Sequence, residues 1–358
     1  MSIEAGETIR SKLAYTRRPE SAVSSQSQTD IPITLIGLGT IGISFASLYL
    51  KHSEATISIY DPRPDLQEHV KSILPGYLDV KDAKELVQTY LTNGRLRICS
   101  SVEEACKEAV IVQEQTAENV TLKRLIWKQV VDTVSPEAHL WSSTSGIPAS
   151  QQVAELEDKS RLLVVHPFNP PHIMPLIEIV PSPHTRPEET EFARSFFSAL
   201  GSDHQPVVIK KEVPGFVGNR LAFVLLREAC HLVSEGVVSV EDIDKVVEAS
   251  IGPRWAVTGP FKSYHYGGGT RGLGAFFHNL SGTIEDIWDT AGTESFKSSS
   301  FLTEAKQAGE GDSNPSKSWA DVVVEQTREA YGMPTPADFA KRDEALKKLL
   351  QARNTKTG

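Results

Sequence analysis

The 358-residue chain has little of what several protein classes need. Cysteine is scarce: only Cys99, Cys106 and Cys230 occur. Their number is odd and their spacing matches no metal-ligand pattern, so neither a disulfide framework nor a metal site is expected. They read as reduced thiols, and a cytoplasmic location is expected. No apolar run reaches the roughly 18 residues of a membrane helix, so no membrane span is expected. Residues 1–30 are polar and rich in Ser, Thr and Gln. They lack the apolar stretch of a secretory signal and are expected to be a disordered tail. Arg10, Arg17 and Arg18 sit among serines as in a transit peptide, but Glu4, Glu7 and Glu20 oppose that reading. Positive charge is also in deficit. Lys and Arg total 37 against 46 Asp and Glu, a net charge of −9, so no nucleic-acid partner is expected.

What remains is an ordinary globular composition, with 39% hydrophobic and 23% charged residues. The length suggests two domains. From Ile31 short apolar runs alternate with amphipathic stretches. Runs at 33–36, 56–60, 109–112, 138–142, 161–165, 176–180 and 206–209 read as strands. Helical stretches read from Ile41 to about Lys51, over 65–92 with an interruption at Pro75-Gly76, from Asn119 to Val134 and from Pro187 to Leu200. This rhythm predicts a mostly parallel sheet covered on both faces. The pair within 161–180 has a short connection and is expected to be an antiparallel hairpin. After Lys210-Lys211 the strands stop. A long helix is expected from Phe216 to Glu235, ended by Gly236, and Ser239 is expected to cap the next. The expected fold class is α/β: a Rossmann-type domain over 31–212, then an all-helical domain over 213–350. The Ser-, Gly- and Lys-rich stretch 291–318 reads as a long loop.

Gly37-Leu38-Gly39-Thr40-Ile41-Gly42 fits G-x-G-x-x-G. It follows an apolar run and opens a helix, the context in which the motif binds a dinucleotide. The first glycine permits the turn, the second admits the pyrophosphate, and the third lets helix and strand pack closely. The N–H groups of Thr40 and Ile41, at the helix start, are then available to phosphate. Asp61 ends the second run. A carboxylate there accepts ribose hydroxyls and repels a 2′-phosphate, which favours NAD over NADP. Arg63 nearby opposes this, unless it is a solvated loop residue.

His166 and Glu178 lie in the hairpin, twelve residues apart. An imidazole titrates near neutrality and can take a hydroxyl proton, and a carboxylate behind it fixes the tautomer. On spacing alone a lone histidine at a strand end is usually structural.

The segment H-P-F-N-P-P-x-x-x-P-L-I-E, from His166 to Glu178, resembles the signature of the 3-hydroxyacyl-CoA dehydrogenase family. It is most similar to the branch of lambda-crystallin and L-gulonate 3-dehydrogenase. The resemblance spans Ile33 to Pro260 and returns weakly over Pro336 to Leu349. It implies His166 as base and Glu178 as its partner, with Asn169 lining the site. In Val213-Pro214-Gly215-Phe216-Val217-Gly218-Asn219-Arg220-Leu221 it implies a catalytic Asn219. In Trp141-Ser142-Ser143-Thr144-Ser145 it implies a substrate-binding Ser142, or Ser143 one place on. Glu118 and Lys123 match cofactor contacts, and Arg254 matches an arginine suited to a substrate carboxylate. A plainer use is the lesser alternative: capping for Asn219 and Ser142, a surface pair for Glu118 and Lys123, and a structural ion pair for Arg254. His172 and His231 read as non-catalytic.

The implied activity is hydride transfer between NAD and the 3-hydroxyl of a small 3-hydroxy acid or acyl-CoA, by a homodimer. Phe261 to Phe277 departs from lambda-crystallin and is closer to carnitine 3-dehydrogenases, and 291–318 matches neither. One alternative is therefore a carnitine-type enzyme, with Trp255, Tyr264 and Tyr266 as candidates for a cation–π cage. The other is a non-catalytic NAD-binding structural protein. A 6-phosphogluconate-type lysine base is set aside, since no lysine follows Gly215 before Gly236.

Overall fold

The computed structural model describes residues 30–297 and 318–354. The tail expected at 1–30 falls, Asp30 apart, outside the described residues, as does most of the loop expected at 291–318. The β-branched runs form an eight-stranded sheet in the order β3-β2-β1-β4-β5-β6-β7-β8. Its strands are β1 (Ile33–Ile36), β2 (Ile57–Tyr60), β3 (Leu96–Ile98) and β4 (Ile111–Glu114), then β5 (His139–Ser142), β6 (Leu162–Pro167), β7 (Leu176–Pro181) and β8 (Gln205–Val208). All neighbours are parallel except β6 and β7, the antiparallel hairpin expected from the short connection.

Alternate residues along each strand enter different cores. Ile33, Leu35, Leu163 and Val165 join Phe45, Tyr49, Trp141 and Phe196 on one face. Ile36, Val112, Leu162 and Val164 join Trp127, Val130 and Phe216 on the other. Each such side chain contributes about 1.5–3 kcal/mol on burial. The strand order changes direction between β1 and β4. Their helices, α1 (Thr40–His52) and α5 (Val120–Val131), therefore leave to opposite faces, and a crevice opens at the strand ends.

Three local features differ from the sequence reading. The edge strand β3 was not expected, because Leu96-Arg97-Ile98 alternates over only three residues, too short a run to read as a strand. The short helix α4 (Val102–Cys106) was also not expected; the Ser101 hydroxyl caps it by accepting from Glu104 N–H. The break expected at Pro75-Gly76 lies instead at 79–82, where Asp79 and Asp82 are left-handed. Leu66, Val70, Leu74 and Leu78 form a continuous buried stripe, so α2 (Leu66–Leu78) runs through the proline. The lost hydrogen bond falls in its last turns, where packing outweighs it.

After residue 212 the described chain is helical: α8 (Gly218–Ser234), α9 (Val240–Ala249), α10 (Ile251–Val257), α11 (Pro260–Gly267) and α12 (Gly272–Thr290), then Trp319–Tyr331 and Pro336–Asn354. Gly236 adopts the left-handed conformation that ends α8 (φ 70°), and the Ser239 hydroxyl accepts from Asp242 N–H (3.1 Å). This layer buries little of itself. Only Cys230 and Val233 of α8 are buried, while Leu221, Val224, Phe261 and Trp288 are exposed. None of the described helices is long and apolar enough to cross a membrane.

Candidate active site

The glycine loop joins β1 to α1. Gly37 has φ 94°, and a Cβ there would lie 2.9 Å from Gln115 O. A Cβ on Gly42 would lie 2.0 Å from Gly37 O. Gly39 is the opposite case, exposed, with nothing within 4 Å of an added Cβ. The loop is therefore closed at its first and third glycines and open at its second, the shape a pyrophosphate requires. The first bond of α1 runs from Ile43 N–H to Gly39 O (3.0 Å), which leaves the N–H groups of Thr40, Ile41 and Gly42 outside the helical ladder. Asp61, at the end of β2, accepts Leu38 N–H at 2.7 Å and Arg63 N–H at 3.1 Å. Arg63 folds back so that its Nε lies 3.4 Å from Asp61. The carboxylate thus braces the loop and draws the arginine to itself, so the residues fit NAD.

The hairpin register makes His166 and Glu178 direct cross-strand partners, so their side chains stand on one face. Nδ1 of His166 donates to Glu178 Oε2 at 2.8 Å. Both side chains are buried, at 4% and 2% exposure. With Nδ1 occupied, Nε2 is the ring nitrogen left to meet a substrate. Phe168 and Phe216 flank the imidazole, their ring centroids 5.6 and 5.3 Å away. Glu178 Oε1 accepts two further bonds, from Val217 N–H and Gly218 N–H, both 3.0 Å. Burial pushes the Glu178 carboxyl up, but the His166 bond and these two N–H groups outweigh it, so its pKa lies below the usual 4.5.

Three sequence expectations about side chains at the ends of β4 and β5 need correction or refinement. Ser142 pairs in register with Glu114, and its fully buried hydroxyl donates to Glu114 Oε2 (3.0 Å). Ser143 is buried and its Oγ accepts from Gln113 Nε2–H (2.9 Å), while Gln113 Oε1 accepts from Tyr49 Oη–H (2.5 Å). The first exposed hydroxyl residue beyond β5 is Ser145, which the sequence reading passed over. Lys123 is fully buried and donates to both oxygens of Glu114 (2.7 and 3.0 Å) and to Thr116 O (3.3 Å). Its three donors are all used within the chain. Glu118 is exposed at the rim, and its oxygens accept Thr144 Oγ1 (2.6 Å) and Ser145 N–H (2.5 Å). These bonds shape the loop that presents Ser145.

Asn219, in the first turn of α8, donates to Ser145 O at 2.9 Å rather than to His166. Asn169 is exposed beside Phe168. Arg254 is exposed on α10 and makes no ion pair with any described residue. Trp255, Tyr264 and Tyr266 form no ring pair with one another among the described residues. Tyr264 packs on Phe276 (5.0 Å), and Lys262 lies over Tyr266 (5.8 Å). His172 shares a hydrogen bond with Ser44 (2.8 Å), and burial pushes its pKa down to about 4. His231 pairs with Glu294 (2.7 Å). Neither belongs to the site.

Residues 32–213 match the family model described as 3-hydroxyacyl-CoA dehydrogenase, NAD binding domain, and residues 215–310 match the corresponding C-terminal domain. The chain belongs to the 3-hydroxyacyl-CoA dehydrogenase family. Within it, an L-carnitine dehydrogenase of Streptomyces griseus is 31% identical over 83% of this chain and 87% of its own. A 3-hydroxyacyl-CoA dehydrogenase of Gibberella moniliformis is 35% identical over 66% and 72%. Among solved structures, FHMPC 5-dehydrogenase, an NAD+-dependent dismutase, is 28% identical with a TM-score of 0.62, covering 91% of this chain and 98% of its own. As a member of the 3-hydroxyacyl-CoA dehydrogenase family, the chain is an NAD-dependent dehydrogenase acting on CH–OH groups.

Proposed function

We propose that this enzyme oxidises the 3-hydroxyl of a small free 3-hydroxy acid, or reduces the matching 3-keto acid, with His166 as the proton-transferring group. The supporting observation is the buried bond of 2.8 Å between His166 Nδ1 and Glu178. It leaves Nε2 unprotonated and ready to accept the hydroxyl proton. Glu178 stabilises the imidazolium that forms. NAD, when bound, would supply the hydride acceptor for the hydroxyl-bearing carbon. Ser145 and Asn219, joined at 2.9 Å, orient the reacting oxygen from one side, and Asn169 closes the other. Gly39, Thr40, Ile41 and Asp61 hold the cofactor, with Glu118 at the rim. Arg254, free of any ion pair with a described residue, holds the substrate carboxylate.

The domain division at 212/213 separates cofactor binding from substrate binding in this reading. The exposed apolar residues of α8, α11 and α12 support a homodimer, and the three free cysteines support a cytoplasmic location. A second reading, a trimethylammonium 3-hydroxy acid, is favoured by relatives named L-carnitine dehydrogenase. The test is NADH absorbance with a panel of 3-hydroxy acids, carnitine and acyl-CoA esters. Turnover should fall at least about a hundredfold in His166→Ala while NAD binding persists. Full activity in that variant would dismiss the assignment.

A further inference from the structure

We infer that the backbone of Gly215–Gly218 is a positioning device: its two successive amides hold the Glu178 carboxylate behind His166, so the link between the domains tunes the base. The inference rests on the reading of His166 as that base. Gly215 (φ 74°) and Phe216 (φ 52°) are left-handed, and Val217 (φ −98°, ψ −48°) is right-handed. The change of hand from Phe216 to Val217 turns successive N–H groups toward one point, the arrangement of an anion-binding nest. Here the anion is the chain's own carboxylate oxygen, Glu178 Oε1, 3.0 Å from each nitrogen. A bulky residue at positive φ is strained unless its surroundings hold it. Phe216 is held: its side chain is fully buried, 5.3 Å from the imidazole.

Gly218 completes the fit. An added Cβ would lie 2.5 Å from Cε2 and Cζ of Phe168, the ring on the other side of His166, and 3.4 Å from Glu178 Oε2. Any side chain there pushes either the amide off the carboxylate or Phe168 off the imidazole. No competing ionic partner among the described residues accounts for the carboxylate's position. On β6 it faces His166, and on β8 its register partner is Val207. Lys210, Lys211 and Arg220 of the link are exposed and form no ion pair with it. The link therefore does more than connect. Its amide dipoles favour the ionised carboxylate, and that carboxylate sets how tightly His166 holds a proton. Weakening the amides raises the proton affinity of the pair.

The experiment measures the pH dependence of kcat/KM in the full-length enzyme, using whichever panel substrate it turns over. Gly218→Ala removes the steric fit, and Gly215→Ala strains the turn without a clash, its nearest neighbour being 3.7 Å away. Gly236→Ala is the control, a left-handed glycine (φ 70°) with open space around it, at the far end of α8. In both link variants the acid limb should move up by about half a pH unit, roughly a threefold change in proton affinity. The control should lose comparable stability and keep the wild-type limb. If Gly218→Ala does not fold, Gly215→Ala alone decides. An unmoved acid limb in the folded link variants, whatever the rate, would overturn the inference and leave the base assignment standing. Turnover surviving in His166→Ala would instead remove the base assignment itself.

Discussion

Exchanging Glu178 for glutamine tests the dyad most sharply, because the structure fixes which way the amide must point. Oε1 of Glu178 receives two backbone N–H groups, and Oε2 receives one imidazole N–H. A glutamine has one oxygen and one NH2. Facing its oxygen to the backbone keeps two bonds, and facing it to His166 keeps one and sets NH2 against two donors. At about 1 kcal/mol per bond, plus the penalty of buried donors facing each other, the first orientation wins by roughly 2 kcal/mol or more. The NH2 then donates to His166 Nδ1, so the ring proton must move to Nε2. The ring now offers a donor where the reaction needs an acceptor, and the carboxylate that stabilised the imidazolium is gone. We expect Glu178→Gln to lower kcat by about 10²–10⁴-fold, with NAD affinity and fold retained. NADH absorbance gives the rate, and titration calorimetry gives the affinity. A kcat within about threefold of wild type would show that the tautomer is not set by this bond, and the reasoning would fail.

Three further outcomes are expected. Lys123→Met leaves Glu114 buried without its cation, and should cost about 3 kcal/mol in urea unfolding while NAD affinity stays unchanged. A stable variant with weakened NAD binding would return Lys123 to the cofactor site. Gly39→Ala adds a Cβ to open space, so unfolding should shift by less than about 0.5 kcal/mol, while NAD binding weakens about tenfold in calorimetry. Equal NAD affinity would mean the loop does not approach the pyrophosphate. The folded-state pKa of Glu178 lies below its ordinary 4.5. Its ionisation therefore stabilises the fold above that pH, and the contribution is lost as pH falls through the folded value. Glu178→Gln should thus differ most from wild type in urea unfolding near neutrality and converge with it in acid. A gap that widened in acid would reverse the sign.

Periodicity alone carried seven of the eight strands and the antiparallel pair, because strands buried in the sheet leave continuous apolar runs and a short connection cannot cross over. The glycine loop was equally legible. Its spacing is dictated by local sterics, and each glycine answers to atoms within a few residues or to the ligand it must admit. Pairing His166 with Glu178 needed only the hairpin, a local element whose register brings twelve-residue neighbours face to face. Tertiary structure decided the rest. Whether Ser142, Ser143 or Ser145 meets substrate depends on where β5 ends and what β4 places beside it, and Glu114 claims the first of these. Lys123 looks like a surface cation by type, yet a carboxylate on β4, nine positions away, draws it fully inside. Asn219 and the two amides before it reach across from the second domain to Ser145 and Glu178. Such contacts join residues dozens of positions apart, and nothing in local spacing encodes which of several competing polar groups will win a buried hydrogen bond.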